Sequence, residues 1–391
     1  MEEKHEKTFF GQPHGLSTLF FTEMWERFSY YGMRAILLFY MYFALDKGGL
    51  GFDKATAMSV MAIYGSMVYL ASVVGGWLSD RIWGSFKTVF IGGFFIMLGH
   101  IVLAVPMGAT ALFISIGLIV AGTGLLKPNV SEMVGGLYSE DDRRRDAGFS
   151  MFVFGINLGS FVAPWVVGTI GQQVNFHLGF SLAAVGMFFG LIQYYRGRSQ
   201  FSKENSKPND PIAADELRGI IIKVVIGLVV IALGITALQL TNNLNIDNIV
   251  LIISIVAIAL PIIYFYNMLS SKKITKKERS RVLAYIPLFI AAAVFWGIEE
   301  SGSVVLALFA EDRTILHIGG WKLAASNFQS LNPLFIMLLT PLFVWLWSTW
   351  KKQPSAPGKF AVGLIFAGLS YMFMALPGLL HGTAVRVSPF W

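Results

Sequence analysis

Seven charged side chains lie inside apolar stretches of this 391-residue chain: Glu23, Glu26, Arg27 and Arg34 in the first stretch, Lys127 in the fourth, Glu299 and Glu300 in the ninth. A charge inside hydrocarbon is costly, so such groups pair with one another and mark routes for ions or substrates. Four anions against three cations nearly cancel, as a buried ionic network requires. The chemistry open to such a network is proton exchange. A carboxyl in an apolar site holds its proton until a cation arrives, and it takes a proton up when the cation leaves. On the first helix, steps of about 100° per residue bring Glu23, Arg27, Tyr30 and Arg34 onto one stripe, with Glu26 and Tyr31 flanking it. The competing reading is a helix that enters the membrane only near Phe28, leaving Glu23 and Arg27 as an interfacial pair four residues apart. The apolar turn formed by Leu16, Leu19, Phe20 and Phe21 ahead of the acids speaks against it, and Arg34 stays intramembrane in either register.

Lys127 sits in GTGLLKPNVS, where Pro128 removes a backbone donor and is expected to kink the helix. Backbone freed at that depth must line protein or water. The lysine either pairs with an acid or loses its proton through desolvation, unless it snorkels to the cytoplasmic face. Glu299 and Glu300 are adjacent, hence about 100° apart around a helix, and one of them should be the better-buried acid. A static Glu–Lys pair is the alternative to a proton-switching one. Asp80 and Arg81, in the loop GGWLSDRIWGSFK, read as a cytoplasmic latch between helices, and Glu140 to Asp146 as a solvated turn. Six histidines, at 5, 14, 100, 177, 317 and 381, show no ligand spacing, and neither a zinc-protease helix nor a phosphate loop is present. An ATP-driven pump or an embedded hydrolase therefore has no support.

The elements that must position these residues follow from composition. Hydrophobic residues make up 55% of the chain and charged ones 14%, against about 25% charged in soluble domains. Eleven apolar stretches can span the bilayer: 17–45, 56–78, 87–105, 109–137, 149–171, 177–195, 219–240, 248–269, 282–310, 326–349 and 360–379. They lack period-2 alternation, so the class is all-α and polytopic. With the N-terminus in the cytoplasm, twenty-two of the thirty Lys and Arg fall inside, five outside and three within spans. The pI near 9.4 is thus a topology signal, and nucleic-acid binding loses its support. No Cys is present, so disulfides and thiolate chemistry are excluded. No cleavable signal peptide is visible at the N-terminus. The polar stretch Gly197 to Leu217, with Pro208 and Pro211, reads as a cytoplasmic linker after six spans. The next two spans carry no buried charge and read as lipid-facing helices without a part in chemistry. A weak likeness between GGWLSDRIWGSFKTVFIGG and WLWSTWKKQPSAPGKFAVG is consistent with two related halves of a transporter.

The string Glu23-Met-Trp-Glu26-Arg27-Phe28-Ser29-Tyr30-Tyr31-Gly32 resembles the ExxERFxYYG signature of the proton-coupled oligopeptide transporters, a branch of the major facilitator superfamily. GTGLLKPNVS around Lys127, FGINLGSF around Asn157, FWGIEESGS around Glu300 and FQSLNPLF around Asn332 are similar to further family segments, in the expected order. The two plain helices match the pair that bacterial members insert between six-helix bundles. The resemblance runs from about Phe10 onward. It implies a major facilitator fold with an N-terminal six-helix bundle at 1–198, a linker and two additional helices at 199–281, and the first three helices of a second bundle at 282–391.

The resemblance further implies proton-coupled symport of di- and tripeptides into the cell across the plasma membrane. The chain would be a monomer in the lipid bilayer, with no organic cofactor, the proton being the coupling ion. Family roles in proton coupling fall on Glu23, Glu26 and Arg27, and on Lys127 and Glu300, the lysine being exchanged for a proton at that acid. Carboxylate binding falls on Arg34 and Lys127. Tyr30, Tyr31, Tyr69, Asn157, Glu300 and Asn332 match substrate-binding positions, and Tyr69, Asn157 and Asn332 rest on the resemblance alone. Alternatives are a carrier of nitrate or another small solute, and a non-transporting membrane receptor or scaffold. The family has twelve core helices and the sequence ends near the tenth, which carries the acid for the peptide's amino end. The chain is therefore expected to be part of a longer protein and, as these residues alone, not to transport.

Overall fold

The structure, a computed structural model, describes residues 8–139, 141–201, 207–350, 353–382 and 385–390. Lys4, His5, Lys7, Glu140, Lys203, Lys351, Lys352, Trp391 and residues 202–206 of the expected linker lie outside the described residues. The elements are helices, apart from two hairpins with two-residue strands: β1 (Thr8–Phe9) with β2 (Gln12–Pro13), and β3 (His317–Ile318) with β4 (Trp321–Lys322). Among the described residues, ten helical segments are long and apolar enough to cross a membrane. The first helix, α1 (Gly15–Tyr42), joins them although its charges lower its hydropathy. The all-α polytopic reading holds.

The chain divides into two compact units, Met1–Leu251 and Ile252–Trp391. In the first, α1 is followed by α2 (Lys54–Leu78), α3 (Ser85–Ala104), α4 (Ala109–Gly135) and α5 (Arg145–Ala163). A π-helical turn, Pro164–Gly168, and the short α6 (Thr169–Gln173) continue α5, and α7 (Phe176–Arg196) closes the bundle. Helix α1 packs against α5 and α7, α3 against α4 and α7, and α2 against α4. Twenty-one of the 28 residues of α1 are buried, so a helix with four charged side chains is the central one of this unit. Small residues permit this. A Cβ on Gly159 of α5 would come within 2.2 Å of the Met24 carbonyl oxygen, and one on Gly186 of α7 within 2.6 Å of the Phe28 ring. Without a hydrophobic force between helices in lipid, such close backbone approach supplies the packing energy.

The loop after α2 is a π-helical turn, Ser79–Trp83. Asp80 and Arg81 do latch, but onto the linker. The amide of Asp210 donates to the Asp80 carbonyl at 2.9 Å, and that of Ile212 to the Arg81 carbonyl at 3.2 Å. Asn209 donates to both Asp80 and Glu132, while the Arg81 guanidinium forks between Asp210 and Glu216. The linker is thus strapped to the ends of α2 and α4. The two acids are about half and three-quarters exposed, so the fork adds little to global stability. Arg81→Gln is expected to speed hydrogen exchange at the Asp210 and Ile212 amides severalfold while moving the thermal midpoint by less than about 4 °C. Unchanged exchange would show that the backbone bonds hold the strap alone.

Helices α8 (Ala214–Leu240) and α9 (Ile246–Ser270) have no buried residue among those described, and the division between units falls inside α9. The second unit continues with α10 (Lys276–Ser301), α11 (Val305–Arg313), a 3-10 turn at Ala325–Ser330, α12 (Leu331–Thr349) and α13 (Ala356–His381). Within it α10 packs on α13, the Tyr371 hydroxyl bonding the Ser301 hydroxyl at 2.8 Å and donating to the Ile298 carbonyl at 3.1 Å.

Candidate functional site

On α1 the carboxyls of Glu23 and Glu26 converge on one guanidinium, the Arg27 Nε lying 3.0 Å from Glu23 Oε1 and 2.5 Å from Glu26 Oε2. The three residues are 3%, 0% and 4% exposed. That burial holds all three inside the helical bundle, out of contact with water. Two buried acids share one cation. Glu23 Oε2 and Glu26 Oε1 have no hydrogen-bond partner among the described residues. A cluster with one carboxylate in excess is relieved by a proton or by a further cation, and Lys127 of α4 acts electrostatically on Glu26.

One turn further along α1, Tyr30 is buried. Its ring lies 5.3 Å from the Arg27 guanidinium and 6.0 Å from that of Arg34. Tyr31 meets it edge-on at 5.2 Å, and Tyr64 of α2, fully enclosed, lies 6.2 Å away. Lys127, half-buried, sits over the half-exposed Tyr69 ring of α2 at 4.4 Å between cation and centroid. A ring face attracts a cation through its quadrupole and leaves the formal charge in place. Helix α4 continues through Pro128. The carbonyl that proline cannot bond, that of Gly124, is the atom against which Gly75 packs, a Cβ on Gly75 coming within 2.0 Å of it. Asn129 donates to the carbonyls of Leu125 and Gly75 at 2.6 and 3.3 Å, tying the same crossing. The proline thus lets α2 and α4 touch, and that contact carries Lys127 to Tyr69. Asn157 is buried on α5, its amide donating to the Val153 carbonyl of its own helix.

In the second unit, Glu300 is the better enclosed of the adjacent acids, and Glu299 is exposed in the isolated chain. Asn332 of α12 donates its Nδ2 to Glu299 Oε1 at 2.5 Å. The family resemblance gave site roles to Glu300 and Asn332 and none to Glu299, which stood out only as a charge in an apolar stretch. Only the tertiary structure reveals the pair, since 33 residues separate the two. Tyr64 was missed as well, and no charge or spacing distinguishes it within an apolar span.

A family model described as the POT family matches residues 86–391. A di-/tripeptide transporter from Lactococcus lactis subsp. cremoris is 51% identical over 397 residues, which cover 99% of this chain and 80% of that one. Among solved structures, the peptide transporter POT in complex with sulfate superposes with a TM-score of 0.94 at 52% identity, covering 99% of this chain and 79% of that one. A POT family transporter in complex with a thioalcohol-conjugated peptide superposes with a TM-score of 0.92 at 44% identity, covering 99% and 80%.

Proposed function

The chain belongs to the POT family, and from that premise we propose that it is a proton-coupled symporter that brings di- and tripeptides into the cell by alternating access. The observation that carries the reading is the wholly buried cluster of two carboxyls on one guanidinium, Glu23, Glu26 and Arg27. A buried ion pair is a poor source of stability, and a third ionisable group makes it worse. Such a cluster is retained in a membrane bundle when its charge state has to change. A proton entering it removes the excess negative charge and alters the hold on the neighbouring cations.

Arg34 and Lys127, each against a tyrosine face, are the groups suited to a peptide's terminal carboxylate, with Tyr30, Tyr31, Tyr69 and Asn157 around them. In the second unit Glu300 is the acid proposed to gain and lose the coupling proton, and Asn332 supplies an amide for the peptide. Proton and peptide move the conformational equilibrium only by binding one state better than the other, so both must bind for the loaded protein to turn over. The chain is taken to work as a monomer in the plasma membrane with its N-terminus in the cytoplasm, without enzymatic activity and without a cofactor other than the proton.

Full-length protein reconstituted into vesicles and given an inward proton gradient should accumulate dialanine, and a failure to do so would sink the reading. A nitrate or other small-solute carrier would show gradient-driven uptake of its own solute instead, and a receptor or scaffold none at all. Glu300→Gln should remove gradient-driven uptake by tenfold or more while leaving peptide counterflow within about threefold. An equal loss of both would assign Glu300 a structural role.

A further inference from the structure

Helix α2 buries one polar side chain among the described residues, Tyr64, in a stripe otherwise made of Ala57, Val60, Met61, Val68 and Gly75. Tyr64 is 1% exposed, and its hydroxyl closes no hydrogen bond among the described residues. A buried hydroxyl without a partner destabilises a fold, and a phenylalanine would fill the same space without that cost. What faces the hydroxyl is the charged stripe of α1. The Tyr30 ring lies 6.2 Å from the Tyr64 ring, tilted by 33°, and Tyr30, Arg34 and Glu26 all act electrostatically on the Tyr64 phenol. Tyr30 is also the group that hydrogen bonding would join to it, yet in this arrangement the bond is not closed.

The open pair sits on a seam inside the first unit. Helix α1 packs on α5 and α7, and α2 packs on α4, while α1 touches α2 and α4 only slightly. Arg34 belongs to the α1 side, 6.0 Å from the Tyr30 ring, and Lys127 to the other, over Tyr69 of α2. One carboxylate taken by both cations pulls the two sides together. A phenol pair that closes only then adds its hydrogen bond to the bound state alone, and such a difference between states is what shifts an equilibrium. We propose that Tyr64 is a positioning residue for the peptide's carboxyl end: its hydroxyl bonds that of Tyr30 when a carboxylate draws α1 toward α2 and α4, and so keeps Arg34 and Lys127 on one ligand. This rests on the reading of Arg34 and Lys127 as the carboxylate-binding groups of a peptide symporter. The unpaired hydroxyl then has a use, because the bond left open in this arrangement is the one that binding gains.

The test compares wild type, Tyr64→Phe, Tyr30→Phe, Lys127→Gln and the double variants of Tyr64→Phe with each of the other two. The assay is counterflow of dialanine in reconstituted full-length protein without a proton gradient, with the C-terminal amide of dialanine as competitor. Phenylalanine keeps the ring and removes only the hydroxyl. Tyr64→Phe is expected to raise the KM for dialanine about tenfold, the scale of one hydrogen bond, and to change the maximal rate less than about twofold. The inhibition constant of the amide should also move less than about twofold, since a neutral end does not draw the two cations together. Added to Tyr30→Phe or to Lys127→Gln, Tyr64→Phe should raise the KM no further, because the bond or the clamp is already lost.

A second readout concerns stability. The thermal midpoint of Tyr64→Phe in detergent should rise by about 2–4 °C, as the unpaired hydroxyl is gone. A fall would mean that the hydroxyl is already bonded in the empty protein and would overturn the proposal. Equal losses for dialanine and its amide would make Tyr64 a packing residue and overturn it too, as would effects that multiply in either double variant. Should Tyr64→Phe not fold, Tyr30→Phe removes the other half of the bond, and the same comparison of the two ligands decides. If wild type exchanges no dialanine, the symporter reading fails and takes the proposal with it. If wild type exchanges dialanine and Tyr64→Phe matches it, only the positioning role fails.

Discussion

Arg27→Leu is expected to abolish proton-driven uptake and to destabilise the first unit by about 3–5 kcal/mol, the cost of stripping the cation from a buried pair. The guanidinium is the shared partner of Glu23 and Glu26, and neither acid has water to turn to. Without it both carboxyls become neutral by holding protons, and a cluster that is always protonated cannot report a gradient. Thermal unfolding in detergent and gradient-driven uptake measure the two effects separately. The triple variant Arg27→Leu, Glu23→Gln, Glu26→Gln should recover most of the stability, because it removes the charges together, and should recover none of the gradient-driven uptake. Wild-type uptake by Arg27→Leu would remove the cluster from proton coupling. A triple variant no more stable than Arg27→Leu would mean that the arginine stem, rather than its charge, holds the helices.

Lys127→Gln should weaken binding of peptides with a free carboxyl end by at least about thirtyfold, since truncating one partner of a desolvated charge pair costs about 2–5 kcal/mol. Specificity carries more information than affinity here. Wild type should discriminate strongly between dialanine and its C-terminal amide, and Lys127→Gln should discriminate little. Arg34→Gln should share the loss of discrimination in smaller or comparable measure, because its cation lies against Tyr30 in the same bundle. Competition binding with the two ligands checks this. Discrimination unchanged in both variants would take carboxylate recognition away from these cations. Tyr69→Ala should produce a weaker version of the Lys127 effect, since it removes only the ring that locates the ammonium.

Much of the site was legible before any coordinates, for a thermodynamic reason. A charge in an apolar helix is so costly that its presence alone marks it, and Glu23, Glu26, Arg27, Arg34, Lys127, Glu299 and Glu300 stand out on that ground. Helical periodicity then places the α1 residues on one face. Neutral polar groups carry no such mark. Tyr64, Tyr69, Asn157 and Asn332 each sit among similar residues in their spans, and nothing local separates a tyrosine that holds a lysine from one that fills space. The latch at Asp80 and Arg81 was legible as charge, while its partners were not, because any acid on the cytoplasmic side would have served.

The sequence by itself determined the apolar character of the chain, its helical class, the order of its apolar stretches and the identity of its costly charges. All of these follow from transfer free energies and a 3.6-residue period, which are local properties. Tertiary structure alone decided that α1 is the central helix of the first unit, that Glu23 and Glu26 share Arg27 out of reach of water, that Lys127 rests on Tyr69, and that Asn332 meets Glu299. Those outcomes depend on where helices distant in sequence cross. The crossings are set by small residues such as Gly75, Gly159 and Gly186, which let one backbone touch another. A glycine in a sequence does not say which helix will meet it.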